Sequence, residues 1–278
     1  MEGFKKVATA DGSFTLYHPR FGESYHSVSA GAITESLEKF LKPSQLVERV
    51  RVGELSSVSL LEVGFGLGYN LVVTLYHLWE VDPDLKIHYA AFELSLTPLL
   101  WEIQLPAPYG EIYEELKTHL REGKRSFTIG GGKARIELLF GDARKRVQDL
   151  RGETFNAIYH DAFSPKRNPE LWTLEFLGKL KELLEAEGFW VTYSTALPVR
   201  RALYELGFNL YSTRPVGRKS PGTAATIAGK PLNDYLLPLT EREREKIRTS
   251  PKAKPFRDPC LCLPPGEILE NYLKGVGR

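Results

Sequence analysis

Four segments of this sequence end where an extended run gives way to residues that bind or react. The apolar run from Val58 to Val63 stops at Gly64-Phe65-Gly66-Leu67-Gly68, and a helical pattern from Asn70 to Trp79 follows. Glycine permits positive φ and lets a ligand approach the main chain closely. A strand, a glycine turn and a helix N-terminus together aim backbone N–H groups and a helix dipole at whatever binds there. The spacing Gly-x-Gly-x-Gly departs from the Gly-x-Gly-x-x-Gly of dinucleotide enzymes. It fits a nucleoside ligand without a pyrophosphate and points to S-adenosylmethionine before NAD; a plain structural turn is the alternative.

The other three segments end in carboxylates. Ile87 to Glu93 reads as a second strand, with Glu93 placed where such folds hold ribose hydroxyls, or else as an exposed strand end. The strand Ile136 to Phe140 stops at Gly141-Asp142-Ala143, where Asp142 either accepts a hydrogen bond from an adenine amino group or caps a helix from Ala143 to Leu150. The strand Phe155 to His160 ends in Asp161-Ala162-Phe163-Ser164-Pro165-Lys166-Arg167-Asn168-Pro169. Asp161 then emerges at a strand's carboxyl end, where open α/β sheets bind ligands. A carboxylate there can accept a proton from a nucleophile, or simply cap its loop.

The elements that must position these residues alternate strand and helix, the pattern of a doubly wound parallel sheet. Asn168 and Pro169 are expected to open a helix from Glu170 to Ala186. A strand Gly188 to Ser194, a helix Leu197 to Leu206, a strand Phe208 to Ser212 and a last strand Ala224 to Ala228 follow. Ser126 to Ile129 and Ala134 to Phe140 flank a glycine triplet that reads as a hairpin or loop. The expected division is an N-terminal arm (1–50), a Rossmann-like domain (51–229) and a C-terminal extension (230–278). In the arm, Asp11-Gly12 marks a turn before the alternating strand Ser13 to Tyr17, and Ala32 to Leu41 has helical spacing up to Pro43.

The charges nearly balance, 37 Lys and Arg against 35 Asp and Glu for a net of +2, so any nucleic-acid surface must come from local clustering. The N-terminus lacks the apolar core of a signal peptide, and no apolar run is long enough to span a bilayer. A cytoplasmic protein is expected. Cys260 and Cys262 show no ligand spacing with the six histidines, so no metal is expected and the cysteines read as ordinary thiols, with a local disulfide as the alternative.

Several blocks, taken together, resemble one family. They are Glu62 to Asn70, Phe92-Glu93, Phe140 to Ala143 and Asp161 to Trp172, followed by Ser194-Thr195-Ala196, Val199 to Leu203, Gly207-Phe208 and Val216 to Lys219. In order and spacing they are similar to the methyltransferase domain of the MnmC family of tRNA 5-methylaminomethyl-2-thiouridine biosynthesis. The resemblance implies a class I S-adenosylmethionine-dependent methyltransferase fold. It also implies methylation of the amine of 5-aminomethyluridine, or its 2-thio form, at the wobble position of tRNA. Carried onto this sequence, it puts Glu62, Gly64, Phe65, Gly66, Gly68, Asn70, Glu93, Asp142 and Ala143 at the cofactor, with Tyr25 of the arm as a lid. Asp161 is the expected catalytic residue, accepting from the substrate amine.

For RNA, Lys166-Arg167, Arg200-Arg201 and Arg218-Lys219 are expected to meet phosphates of the anticodon loop, and Phe163 to stack on the splayed base. The family's bifunctional members continue into an FAD-dependent oxidase domain that this chain has no room for, so a stand-alone form paired with upstream wobble-uridine enzymes is expected. Two departures stand out: Phe-Glu-Leu replaces Phe-Glu-Lys at the second strand, and Ser220-Pro221-Gly222-Thr223 replaces a basic continuation. The alternatives are a small-amine transferase, such as a polyamine aminopropyltransferase, and a non-catalytic cofactor- or RNA-binding scaffold.

Overall fold

The computed structural model describes residues 3–216 and 221–277. The arm is a small antiparallel sheet of β1 (Lys5–Ala8), β2 (Phe14–His18) and β3 (Glu23–Ser24). Asp11 in its first turn is bonded on both carboxylate oxygens. Oδ1 accepts from Thr9, Ser13 N and Ser13 Oγ, while Oδ2 accepts from Thr34 N at 2.9 Å. That second bond clamps the hairpin to α1 (Ala32–Glu35), which runs on through a π-type turn (Ser36–Leu41) and a 3-10 turn (Lys42–Ser44) into α2 (Leu46–Arg51).

The main sheet begins with β4 (Ser57–Val63), α3 (Tyr69–Val81), β5 (Lys86–Glu93) and α4 (Gly110–Arg121). It continues with β6 (Ser126–Ile129), β7 (Ala134–Phe140), α5 (Ala143–Arg146) and β8 (Phe155–His160). Next come α6 (Leu174–Lys181), β9 (Leu184–Thr192), α7 (Leu197–Glu205), β10 (Asn209–Thr213) and β11 (Thr223–Thr226). The chain closes with β12 (Leu236–Pro238), α8 (Glu241–Thr249) and α9 (Pro265–Gly275). The strand order is β12-β10-β11-β9-β8-β4-β5-β7-β6. The centre, from β9 to β7, is parallel, and both margins are antiparallel.

The chain leaves β4 toward β5 and β7, then returns to the other side of β4 for β8 and β9. The strand order therefore reverses between β4 and β8, and a crevice opens at their carboxyl ends. Successive side chains of a strand point to opposite faces. Accordingly Leu60, Tyr89 and Ala91 pack into one apolar layer, and Leu61, Val63, Ala90 and Phe92 into the other. Burial on both faces explains why these strands read as continuous apolar runs.

Three expectations need correction. The helix foreseen from Glu170 to Ala186 is broken. Pro169–Leu171 is a 3-10 turn, Thr173 caps α6 by accepting from Phe176 N, and β9 starts at Leu184 because that residue pairs with Phe155. The strand near Ala224 is not the last, since β11 slots between β9 and β10 and β12 adds an edge. Finally, Cys260 and Cys262 are bonded to one another rather than left as thiols.

Candidate active site

The crevice holds a cavity of about 800 Å³ bounded by the ends of β4, β5, β7 and β8 and by the arm. Gly64 (φ 93°) and Gly66 (φ 56°) line it. A Cβ on Gly64 would lie 2.8 Å from the Asp161 carbonyl oxygen, so glycine is what lets the ends of β4 and β8 close on each other. A Cβ on Gly66 would lie 3.1 Å from the Tyr25 ring, which therefore sits directly over the elbow. At the end of β5, Glu93 accepts from Gly66 N at 2.8 Å and from Leu94 N at 2.7 Å. Burial raises its carboxyl above the ordinary value in spite of these N–H bonds.

Asp142 caps α5 by accepting from Arg144 N at 3.0 Å, and its other oxygen pairs with the Arg144 guanidinium at 2.8 Å. Burial works against its charge, but the Arg144 bonds win and hold the carboxyl below its usual value. Capping and a place at the cavity edge coexist here, because Asp142 and Ala143 both line it.

Asp161 stands at the end of β8 in a chain of acids joined by one amide. Asn70 Nδ2 donates to Asp161 Oδ2 at 2.9 Å and to Glu62 Oε1 at 2.7 Å, and Tyr89 donates to Glu62 Oε2 at 2.7 Å. Burial, then the neighbouring carboxylates Glu35 and Glu62, push the Asp161 carboxyl well above the ordinary range, with Asn70 opposing. Burial first, and Glu93 in addition, push Glu62 up to about 8 against the bonds from Asn70 and Tyr89. His160, the residue before, lies between the indoles of Trp172 and Trp190, and burial drives it down to about 3. The proton-handling group at this strand end is thus the carboxylate.

The rim is aromatic and basic. Phe163 stacks on Phe21 of the arm with centroids 4.2 Å apart and planes 19° from parallel, and Tyr25 lies 5.2 Å from Phe163. Trp172 Nε1 donates to Phe163 O at 2.8 Å, and Glu23 accepts from Ser164 N at 3.0 Å, so both sides of the loop are tied. Lys166 and Arg167 are exposed beside this stack, as is Arg20.

Six of the expected cofactor residues line the cavity: Tyr25, Gly64, Gly66, Glu93, Asp142 and Ala143. Four do not. Glu62 and Asn70 are buried behind Asp161 and act on it; Phe65 is packed in the core; Gly68, at φ 78°, caps α3. Asp161 and Phe163 line the cavity too. Arg200 cannot meet a phosphate: it is 4% exposed and bonded to Thr223, Ser212, Gly222 O and Glu243. Arg201 is taken up by Glu205 and the carbonyls of Ile247 and Arg248. Both arginines brace α8 against α7. Arg218 and Lys219 lie outside the described residues. The sequence reading missed Glu23, Glu35, Phe21, Arg20 and Tyr193, which also line the cavity. The only signal for the arm residues was its aromatic, small-residue composition.

Comparison with known proteins fits this geometry. Residues 108–228 match a family model described as S-adenosyl-L-methionine-dependent methyltransferase. The crystal structure of MnmC2 from Aquifex aeolicus superposes with a TM-score of 0.90 at 44% identity, covering 99% of this chain and 86% of that one. The chain belongs to the MnmC2 family. An uncharacterised protein of Methanocaldococcus jannaschii is 33% identical over 268 residues, covering 95% of this chain and 70% of that protein. The bifunctional MnmC of Paraburkholderia phymatum is 31% identical over 249 residues, but there this chain spans only 37% of the relative's length.

As an MnmC2-family member, the protein is an S-adenosylmethionine-dependent methyltransferase with a class I fold. The residues present suit that cofactor. The Gly64–Gly66 cradle would admit a ligand against the backbone, Glu93 would offer acceptors to ribose hydroxyls, and the acidic lining would favour a positively charged sulfonium. No described helix is long and apolar enough to cross a membrane.

Proposed function

We propose that this protein methylates the amine of 5-aminomethyluridine, or its 2-thio form, at the wobble position of tRNA. Its bifunctional relatives are named for tRNA 5-methylaminomethyl-2-thiouridine biosynthesis. The observation that carries the reading is Asp161, anchored by Asn70 on the cavity wall beside the stacked rings of Phe21 and Phe163.

S-adenosylmethionine supplies the electrophilic methyl group. The task of the protein's own residues is to present a neutral amine to it. An alkylamine is mostly protonated at neutral pH, and its ammonium form has no lone pair. Asn70 occupies Asp161 Oδ2, so Oδ1 takes the hydrogen bond from the amine and then its proton. The raised affinity of Asp161 for protons, a consequence of burial beside other acids, makes it a competent acceptor. Glu62 and Tyr89, through Asn70, fix the orientation of that carboxylate, and fixed orientation is itself a large part of such catalysis. Phe21 and Phe163 offer faces to the splayed base, and Arg20, Lys166 and Arg167 offer charge to the flanking phosphates. The amine itself must come from a separate active site that builds or unmasks the aminomethyl group.

The test is transfer of labelled methyl from S-adenosylmethionine to tRNA carrying 5-aminomethyluridine, with nucleoside analysis of the product. Label in 5-methylaminomethyluridine is expected. Asp161→Asn should lower kcat by about 10²–10⁴, the usual share of a general base, with little change in affinity for S-adenosylhomocysteine. An unchanged kcat removes Asp161 from the chemistry.

A further inference from the structure

The hairpin of the arm grips the loop that follows Asp161 at Ser164. Glu23 of β3 accepts from Ser164 N at 3.0 Å on one oxygen and from Ser164 Oγ at 2.5 Å on the other. Both donors thus meet a carboxylate, which makes these bonds of the stronger, charge-assisted kind. The Ser164 carbonyl in turn accepts from Arg167 N at 2.7 Å and from Asn168 N at 2.9 Å, so the turn that carries Lys166 and Arg167 hangs from the same residue. Ala162 and Phe163 are held by residues outside the arm, their carbonyls accepting from Tyr193 and Trp172 at 2.8 Å.

His18 is directly opposite Glu23 in the register of β2 and β3, and residues so paired stand on one face of the sheet. The His18 ring meets Phe163 at 5.4 Å and Phe21 at 4.8 Å between centroids. One cross-strand pair therefore seats two successive residues of the loop: His18 takes Phe163, and Glu23 takes Ser164. Between them the hairpin tip brings Arg20 and Phe21 to the cavity, where Phe21 stacks on Phe163. Asp161 is fixed from the main sheet through Asn70, whereas Phe21 belongs to the arm. Bonds between these two separately built parts decide how far the proton acceptor stands from the stacked rings. A misplacement of about 1 Å at a reacting centre can cost about a hundredfold in rate.

We propose that Glu23 is a positioning residue for methyl transfer. Acting through Ser164, it fixes the Phe21–Phe163 platform that takes the base relative to the Asp161 carboxylate that takes the amine proton. It touches neither the amine nor the methyl donor, and both of its oxygens are spent on the loop. This assignment deepens the functional reading above and rests on it.

The experiment measures steady-state methyl transfer to tRNA carrying 5-aminomethyluridine, with affinity for S-adenosylhomocysteine measured alongside. Glu23→Ala removes both bonds and should lower kcat by about tenfold to a hundredfold. KM for the tRNA should change less, and S-adenosylhomocysteine should bind as before. Glu23→Gln should recover most of the rate, because its amide oxygen accepts from Ser164 N while its amide N–H donates to Ser164 Oγ. Ser164→Ala gives up one bond of the two and should fall between the wild type and Glu23→Ala. Joined to Glu23→Ala it should cost nothing further, since the bond it removes is already gone. An unchanged kcat in Glu23→Ala overturns the assignment. So does a Glu23→Gln variant no better than Glu23→Ala, which would make the charge itself the acting feature, and so do fully additive losses in the double variant. A parallel fall in S-adenosylhomocysteine affinity also overturns it, giving Glu23 to the cofactor site or to the fold. A wild-type protein that transfers no methyl to the aminomethyl tRNA overturns the functional reading itself, and the assignment falls with it.

Discussion

The Asp161 carboxylate is oriented by residues buried behind the cavity wall. Asn70 spends both protons of its amide on two carboxylates, and Tyr89 spends its hydroxyl on the second of them. The arrangement is costly: Glu62 is wholly buried, and its carboxyl holds a proton up to about pH 8. The sign of the linkage follows. In the unfolded chain this group ionises near the ordinary glutamate value, about 4.3, so between there and about 8 the folded state binds more protons than the unfolded one. Its contribution to stability is present in full below the unfolded value and is lost as pH rises through the folded one. Glu62→Gln should therefore gain on the wild type steadily from about pH 5 to about pH 8, by a few kcal/mol in all, as followed by denaturant unfolding at stepped pH. A constant difference across that window would mean that Glu62 is ionised when folded. A fall in methyl transfer by the same variant would measure how much Asp161 depends on being aimed.

At the scale of elements, what could be read from the sequence was whatever is local to a strand end. The glycine elbow, Glu93, Asp142 and Asp161 each follow an apolar run by a residue or two, and their place at the cavity needs only that the run be a strand. The pairs Lys166-Arg167 and Arg200-Arg201 look alike in sequence, yet the structure separates them. Lys166 and Arg167 sit on a loop fastened by Trp172 and Glu23 and reach solvent. Arg200 lies on the buried face of α7, with its guanidinium bonded to the ends of β10 and β11 and to α8. Nothing in a dipeptide reports which face of a helix it will occupy once β11 and α8 have packed. The two pairs should behave oppositely. Arg200→Ala leaves buried acceptors without their donor and should cost about 3 kcal/mol of stability, with S-adenosylhomocysteine affinity unchanged in the folded fraction. Lys166→Ala with Arg167→Ala should leave stability as it was and weaken tRNA binding. If each charge meets a phosphate, the slope of log affinity against log salt should become shallower by about 0.7 per charge, the single-strand value. An unaltered slope would remove the loop from the RNA interface.

On the scale of the whole molecule, the arm and the C-terminal extension support the crevice from different sides. An arm covering the site, with Tyr25 over the elbow, was expected from the sequence; the extension's role was not, because it depends on contacts distant in sequence. The extension reads locally as a charged helix and a proline-rich stretch. In the fold its residues 256–263 run along the back of the site: Phe256 O accepts from Leu174 N, and Glu175 accepts from Asp258 N and pairs with Arg257. Asp258 is the centre of this contact, with no exposure to solvent. Its Oδ1 accepts from Cys262 N and Leu263 N, and its Oδ2 pairs at 2.8 Å with Arg144, the residue that holds Asp142 at the cavity edge. The Asp142 side of the crevice is thus backed by a segment more than a hundred residues away, through one guanidinium shared by two aspartates. Asp258→Ala would leave Arg144 short of one buried partner and two backbone N–H groups without acceptors, a loss of about 3–5 kcal/mol. It should also weaken S-adenosylhomocysteine binding, because the turn that carries Asp142 and Ala143 loses its backing. Calorimetric unfolding and titration of the same variant separate the two effects. Lost stability with affinity intact would make the extension a brace for the fold alone, whereas a joint loss would make it part of the cofactor site.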